Sequence, residues 1–166
     1  MKTKDNLKAA FAGESQANRK YLAFAKKAEQ EGYPVIAHLF RAVAEAETVH
    51  AHAHLRNLGG IGDTLTNLRE AKAGEDYEIS QMYPDMVATA EAEGETRAAQ
   101  GMRHALAVEK VHSVLYGQAI AALEAGKDLD HDLLHVCEIC GHTVFGEPEG
   151  KCPICGAKQS SYKKVA

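Results

Sequence analysis

Residues 109–112 read Glu-Lys-Val-His and residues 47–50 read Glu-Thr-Val-His, and both stretches lie within long segments rich in Ala, Leu and Glu. Residues three positions apart share one face of an α-helix, so the Glu and the His of each stretch can bind one ion together. A single Glu-x-x-His is common by chance. Its occurrence twice in one chain predicts a metal site within a helical protein.

Four periodic stretches in the first 125 residues predict four long helices that are separated by Gly or Pro. We expect these helices over about 6–31, 34–58, 63–93 (with Asp63 or Thr64 as the cap) and 95–125. Pro84 falls inside the third helix, where it removes one backbone donor and is expected to cause a kink.

Acidic residues or His interrupt the apolar face of each expected helix near its middle. The seven residues concerned are Glu14, Glu47, His50, Glu75, Glu78, Glu109 and His112. A carboxylate that is buried without a partner costs several kcal/mol, and no Lys or Arg lies on these faces near the five glutamates. Two divalent cations would offset four of the five negative charges, so the pattern predicts a pair of metal ions.

Within each hairpin, the candidate ligands of both helices lie at a similar distance from the turn at Gly32 or Gly94, about 25 Å at a rise of about 1.5 Å per residue. One Glu from each of two helices plus Glu-x-x-His from each of the other two is the ligand pattern of di-iron carboxylate proteins with ferritin-like bundles. We therefore expect a mainly α fold. A ferritin-like four-helix bundle would cover residues 1–130, and a small metal domain would cover residues 131–166.

All four cysteines lie in the expected C-terminal domain. Two Cys-x-x-Cys-Gly turns, separated by eleven residues, contain Cys137, Cys140, Cys152 and Cys155. Four thiolates in a tetrahedral array suit zinc or iron. The spacing alone favours zinc because zinc ribbons are abundant, whereas pairing with a di-iron site favours iron because redox chemistry at one site needs electrons from another.

Tyr21 and Tyr83 are candidate catalytic residues, because each lies near a candidate ligand in the expected helices. Either hydroxyl could donate a hydrogen bond to a metal-bound carboxylate. Ordinary core packing with a satisfied hydroxyl is the alternative, and both interpretations stay open at this point.

Charge and hydropathy argue against several classes of protein. The chain has 19 Lys and Arg against 23 Asp and Glu, a net charge of −4, and no basic stripe, so we expect no nucleic-acid partner. No apolar run approaches the ~18 residues of a membrane-spanning helix, and the polar start is unlike a signal peptide. We expect a cytoplasmic protein without a membrane partner, in which disulfides are rare.

Three segments resemble the first and third helices of rubrerythrins: residues 11–17 (Phe-Ala-Gly-Glu-Ser-Gln-Ala), 74–78 (Gly-Glu-Asp-Tyr-Glu) and 82–84 (Met-Tyr-Pro). Both Glu-x-x-His pairs and the rubredoxin-like Cys turns also match this family, so the resemblance covers nearly the whole chain. It implies a peroxidase that reduces hydrogen peroxide to water with electrons that enter through an Fe(Cys)₄ centre. The electron donor would be a rubredoxin or a flavoprotein reductase.

The resemblance also implies a role for each candidate residue. The pair of irons would be held by Glu14, Glu47, Glu75, Glu109 and His112. Glu78 and His50 would be alternative ligands of one iron, Glu78 in the oxidised state and His50 in the reduced state. Tyr21 and Tyr83 would orient ligands.

The connector between the second and third helices is shorter than is common in the family. Residues 59–63 reach only ~17 Å when extended, whereas a return path along the bundle needs ~28 Å. Either the third helix starts late, near Arg69, or two chains exchange halves. We expect a domain-swapped homodimer in which Glu14, Glu47 and His50 of one chain meet Glu75, Glu78, Glu109 and His112 of the other.

Two other functions are compatible with the same residues. One is a ferritin-like iron-binding or ferroxidase protein with a structural zinc ribbon, which would not need iron at the cysteines. The other is a non-enzymatic interaction protein whose C-terminal ribbon holds zinc. Colour separates them cheaply from a peroxidase, because an oxidised Fe(Cys)₄ site is red and a zinc site is colourless.

Overall fold

A computed structural model of the chain describes residues 1–165. Its contacts divide the chain into two compact units, one from Met1 to Gly62 and one that begins at Asp63. The first unit is a hairpin of α1 (Lys2–Gln30) and α2 (Pro34–Leu58). Gly32 lies in the turn between them with φ of 83°, a conformation that favours glycine, and Pro34 opens α2 at a position where its missing N–H costs nothing.

Alanines form the buried contact between α1 and α2. Ala25, Ala28 and Ala37 make up one cluster, against which Phe40 packs. Small side chains let the two helix axes approach closely, and the aromatic rings of Tyr21, Phe24 and Phe40 cover the edge of the cluster with ring centroids 5.6 to 6.3 Å apart.

A polar link fixes how far α1 is shifted along α2. The Asn18 amide donates to the carbonyl oxygen of Ala44 at 2.7 Å and to the hydroxyl of Thr48 at 2.8 Å. Both partners lie on α2, and a displacement of one turn would leave a half-buried amide without them. The link therefore selects one register for the hairpin.

The second unit begins with α3 (Thr64–Tyr77), a π-helical turn (Glu78–Met82) and α4 (Tyr83–Ala92), and continues with α5 (Thr96–Glu124). The Asp63 side chain caps α3 by accepting from the Thr66 N–H at 2.8 Å. The third predicted helix is thus interrupted one turn before Pro84, by a π turn that the periodicity does not reveal. A kink at Pro84 itself stays a prediction.

The cysteines lie in a small antiparallel sheet that follows α5. Its strands are β1 (Leu134–Cys137), β2 (Thr143–Phe145) and β3 (Tyr162–Val165), in the order β2-β1-β3, and a 3₁₀ turn (Gln159–Ser161) leads into β3. Leu134 pairs with Phe145 on one side and with Val165 on the other. One face of so small a sheet cannot supply a large core, which agrees with a module held together by metal.

The mainly α prediction, with four helical stretches before a small cysteine module, is confirmed. The boundaries 1–130 and 131–166 stay a prediction, since the compact units divide the chain elsewhere. Across residues 1–165, every helix is too short or too polar to cross a bilayer.

Replacement of Asn18 by Ala tests the polar link in the hairpin. Asn18→Ala should lower the free energy of unfolding by about 1–3 kcal/mol, because both hydrogen bonds of a half-buried amide are lost. Urea unfolding followed by circular dichroism measures the change. Gln16→Ala, on the exposed side of α1, is the matched control; equal stability of the two variants would show that the link contributes nothing.

Candidate metal centres

Glu14 of α1 and Glu47 and His50 of α2 form the first group of candidate ligands. One ligand atom from each lies within 4.8 Å of the others. His50 Nδ1 is 2.9 Å from Glu47 Oε2, as the helical i, i+3 spacing predicts. Both glutamates are half-buried and His50 is exposed, so the group opens toward one side of the hairpin.

Glu75 of α3 and Glu109 and His112 of α5 form the second group, again with one ligand atom from each within 4.8 Å of the others. His112 Nδ1 is 2.7 Å from Glu109 Oε2. Glu78 lies close enough for the charge of Glu109 to act on it. The structure therefore brings together Glu75, Glu78, Glu109 and His112 in the second unit, and Glu14, Glu47 and His50 in the first.

The carboxylates of the second group repel one another. Burial, a hydrogen bond to Glu109 and the charge of Glu109 raise the pKa of Glu75 to about 7. Burial and the same Glu109 charge also raise the pKa of Glu78. Two carboxylates that share a proton near neutral pH readily exchange it for a cation, so this donor set fits a divalent or trivalent metal ion.

Tyr83 follows the π turn and lies close enough to the carboxylates for their charges to act on its hydroxyl. In an α-helix, a residue five positions after Glu78 would lie about 140° around the axis. In the π turn, the Tyr83 N–H bonds directly to the Glu78 carbonyl. Burial and the charges of Glu78, Glu109 and Glu75 raise the pKa of the Tyr83 hydroxyl, which keeps it protonated as a hydrogen-bond donor.

Tyr21 has different surroundings. Its ring packs against Phe24 and Phe40 in the α1–α2 hairpin, with centroids 6.3 and 6.2 Å away. These contacts agree with the packing interpretation of Tyr21, and a role toward the carboxylates stays a prediction.

A second polar link holds α3 to α5 directly beside the ligands. Ser113 donates to Asp76 Oδ1 at 2.6 Å, and Lys72 Nζ bonds to Asp76 Oδ2 at 2.7 Å and to the Ser113 hydroxyl at 3.1 Å. Asp76 follows Glu75 in the chain, and Ser113 follows His112. The link therefore sets the register that brings Glu75 to His112, a function that periodicity alone does not show.

The four cysteine sulfurs form one compact cluster, in which every sulfur lies within 4.8 Å of the others. Cys137 Sγ lies 3.8 Å from Cys155 Sγ, and Cys140 Sγ lies 3.6 Å from Cys152 Sγ. A tetrahedron with metal–sulfur bonds of about 2.3 Å has edges of about 3.8 Å, whereas a disulfide is about 2.05 Å long. All four cysteines are free thiols. The cluster has the size of a mononuclear metal site.

Hydrogen bonds to the Cys152 sulfur favour its thiolate form, whereas burial raises the pKa of Cys140 and of Cys155. Burial raises the pKa of Cys152, but bonds from the Tyr162 hydroxyl and from the backbone N–H groups of Cys155 and Ile154 outweigh it and bring the pKa to about 6. The Tyr162 hydroxyl also lies 2.6 Å from His142 Nδ1. Tyr162 is a residue that the motif analysis missed, because nothing in the Cys-x-x-Cys spacing indicates it.

The cysteine module contacts α5 at a metal-ligand candidate. His112 Nε2 lies 3.0 Å from the Thr143 hydroxyl of β2. The Thr143 hydroxyl donates to the carbonyl of Gly141, the residue that follows Cys140. The two groups of the second unit, carboxylate and cysteine, are therefore joined by hydrogen bonds.

The rubrerythrin family model matches residues 5–120 of the chain. The chain belongs to the rubrerythrin family. Nigerythrin of Nitratidesulfovibrio vulgaris is 40% identical over 92% of this chain and 81% of its own length. The rubrerythrin of Porphyromonas gingivalis is 35% identical over 99% of this chain and 90% of its own length. A solved structure, the fully reduced, all-ferrous state of nigerythrin, covers 98% of this chain and 86% of its own with 36% identity and a TM-score of 0.59.

Membership confirms the predicted fold class, a ferritin-like helical protein followed by a rubredoxin-like module. It also confirms the two kinds of metal site, a di-iron carboxylate site and a four-cysteine site, whose donor atoms the structure groups together. The assignment of individual ligands stays a proposal.

The shared proton of Glu75 makes the stability of the metal-free rubrerythrin depend on pH. The folded chain holds this proton up to about pH 7, whereas the unfolded chain releases it near pH 4.5. Stability should therefore be highest below pH 4.5, as far as Glu75 is concerned, and should fall as the pH rises to 7. Thermal unfolding of chelator-treated protein across this range measures the effect.

Glu75→Gln should flatten this pH dependence, because the amide cannot ionise. Glu70→Gln, an exposed position of α3, should leave it unchanged. The same slope in the wild type and in Glu75→Gln would assign the pH dependence to other groups.

Proposed function

We propose that this rubrerythrin is a non-haem di-iron peroxidase that reduces hydrogen peroxide to water with electrons delivered through an Fe(Cys)₄ centre. The observation that carries the proposal is the contact of the two groups in the second unit. His112 of the carboxylate group is hydrogen-bonded to Thr143 of the cysteine module. An electron-storing site beside a site for a two-electron reaction is what a peroxidase of this kind needs.

The reaction consumes two electrons and two protons for each hydrogen peroxide and yields two water molecules. When bound, the pair of ferrous ions supplies the electrons that break the O–O bond. The cysteine site would hold iron in this proposal, since zinc has no redox chemistry. A rubredoxin or a flavoprotein reductase would return the electrons to it.

Each candidate ligand has a place in the proposal. The metal pair would be held by Glu14, Glu47, Glu75, Glu109 and His112. Glu78 and His50 would be alternative ligands of one ion. Support for the exchange comes from their surroundings: Glu78 begins the π turn, and the His50 side chain is 56% exposed and has room to move.

Tyr83 would hold a proton at its hydroxyl and orient the carboxylates. The charges of Glu75, Glu78 and Glu109 all act on this hydroxyl, which supports a position facing the group. Tyr21 would orient ligands of the first unit in the same way. A cytoplasmic location belongs to the same proposal, because free thiols persist in a reducing compartment.

The working molecule would be a domain-swapped homodimer. α2 ends at Leu58 and α3 begins at Thr64, so the late start of the third helix near Arg69 is wrong. Residues 59–63 reach only ~17 Å when extended. A return path of ~28 Å along a ferritin-like bundle exceeds that reach, which supports exchange of halves between two chains.

Single-turnover mixing tests the proposed reaction. Reduced, iron-loaded protein mixed with hydrogen peroxide without oxygen should turn red as the Fe(Cys)₄ centre is oxidised, while peroxide disappears. Glu109→Gln should slow this oxidation by more than about 100-fold, because even groups behind a metal ligand are worth 10–100-fold.

Glu138→Gln, an exposed residue between the first two cysteines, is the matched control and should react like the wild type. Oxidation of Glu109→Gln at the wild-type rate would contradict the proposal, because peroxide would then react without the carboxylate site. Colourless protein that takes up iron without consuming peroxide would favour a ferritin-like role.

Mixing two inactive variants tests the swapped dimer. Glu47→Gln disables the half-site of the first unit, and Glu109→Gln disables that of the second. In a swapped heterodimer one site receives both substitutions and the other receives neither, so refolding an equal mixture should restore about a quarter of the wild-type sites. If one chain supplies every ligand, no mixture regains activity.

A further inference from the structure

Thr143 lies at the start of β2, between the Cys140 turn and α5. Its hydroxyl oxygen is 3.0 Å from His112 Nε2 and 3.1 Å from the carbonyl oxygen of Gly141. A hydroxyl has one proton to donate and can accept as well. When that proton goes to the Gly141 carbonyl, the oxygen can only accept from His112.

The Thr143 hydroxyl oxygen, as the acceptor, decides which ring nitrogen of His112 carries no proton. A neutral imidazole carries one proton, so an Nε2–H that is bonded to Thr143 leaves the Nδ1 lone pair open. Nδ1 is the atom that lies 2.7 Å from Glu109 Oε2. Two acceptors at this distance need a cation between or beside them, which is the arrangement of a metal site.

The surroundings make the Thr143 hydroxyl hard to replace. His112, Thr143 and Tyr116 are the residues with polar side-chain atoms around a cavity of about 340 Å³ whose other walls include Leu68, Leu115 and Phe145. Val108, which precedes Glu109 in the chain, is buried and lies close to Gly141. An Nε2–H that loses its acceptor among these mostly apolar walls has few other partners, and an unmatched donor in a partly buried position is unfavourable.

We propose that Thr143 is a positioning residue for the di-iron site: its hydroxyl accepts the Nε2–H of His112 and so presents Nδ1 to the metal. This inference rests on His112 being a ligand, as the proposed function has it, but not on peroxide being the substrate. It also gives the cysteine module a part in building the carboxylate site, since the module supplies the acceptor.

Zinc binding to full-length protein tests the inference without any redox step. After the cysteine site has been filled with zinc, calorimetric titration measures the affinity of the carboxylate site. Thr143→Val keeps the shape of the side chain but removes the hydroxyl, and it should weaken zinc binding by about 10-fold or more. Thr143→Ser, which restores the hydroxyl, should recover most of that loss.

NMR of the zinc-loaded wild type provides a second measurement that a purely structural role would not affect. The Nε2–H of His112 should be protected from hydrogen exchange, and Nδ1 should be the metal-bound nitrogen. Thr143→Val, measured at saturating zinc, should lose this protection at His112.

Three results would overturn the inference: wild-type affinity in Thr143→Val, equal weakening in Thr143→Val and Thr143→Ser, or an unprotected Nε2–H in the wild type. The NMR spectrum of the zinc-loaded wild type tests the role of Thr143 even if Thr143→Val fails to fold. If the peroxide reaction fails but Thr143→Val binds zinc clearly more weakly than Thr143→Ser, the proposed function alone is refuted. If the protein reduces peroxide normally but the two variants bind zinc equally well, the role of Thr143 alone is refuted.

Discussion

An imidazole nitrogen faces a carboxylate oxygen twice in this protein, at 2.9 Å between His50 and Glu47 and at 2.7 Å between His112 and Glu109. Each pair has a further carboxylate within 4.8 Å, from Glu14 or from Glu75. Such groups are stable close together in a half-buried site when a proton or a metal ion lies among them. Because the pKa of Glu75 is about 7, its carboxyl group is only partly protonated at neutral pH, so a proton alone does not remove the repulsion. A metal ion in place of that proton would let the helices keep these half-buried acidic groups close to one another.

The polar links between helices follow from the same constraint. A metal site tolerates errors of only a few tenths of an ångström, which apolar stripes cannot guarantee, because Ala and Leu faces pack almost as well after a shift of one turn. Asn18 bonds to Thr48, the residue after Glu47, and Ser113 bonds to Asp76, the residue after Glu75. Each hydrogen bond forms in only one register of the two helices, so each link places the neighbouring candidate ligand opposite its partner.

Most of the helical fold and the types of the ligands could be predicted from the sequence, because both depend on a period of 3.6 residues and on where charge interrupts it. The Cys-x-x-Cys-Gly turns are equally local, and their four sulfurs lie together as expected. The π turn at residues 78–82 could not be predicted, since it changes the hydrogen-bond register without changing the hydrophobic pattern. The contact of Thr143 with His112 joins residues 31 positions apart, and only the packing of β2 on α5 creates it.

In the proposed function, the division of the candidate ligands between two units also makes metal binding part of assembly. Three residues cannot fill the coordination spheres of two ions, so neither Glu14, Glu47 and His50 nor Glu75, Glu109 and His112 can hold the pair without further ligands. If the halves come from different chains, every bound pair of ions joins two chains, and the metal stabilises the dimer by mass action. The short connector and the split ligand set would then have one physical cause. In that arrangement one chain would not satisfy its half-buried carboxylates alone, and the folded state that holds the metal would also be the assembled one.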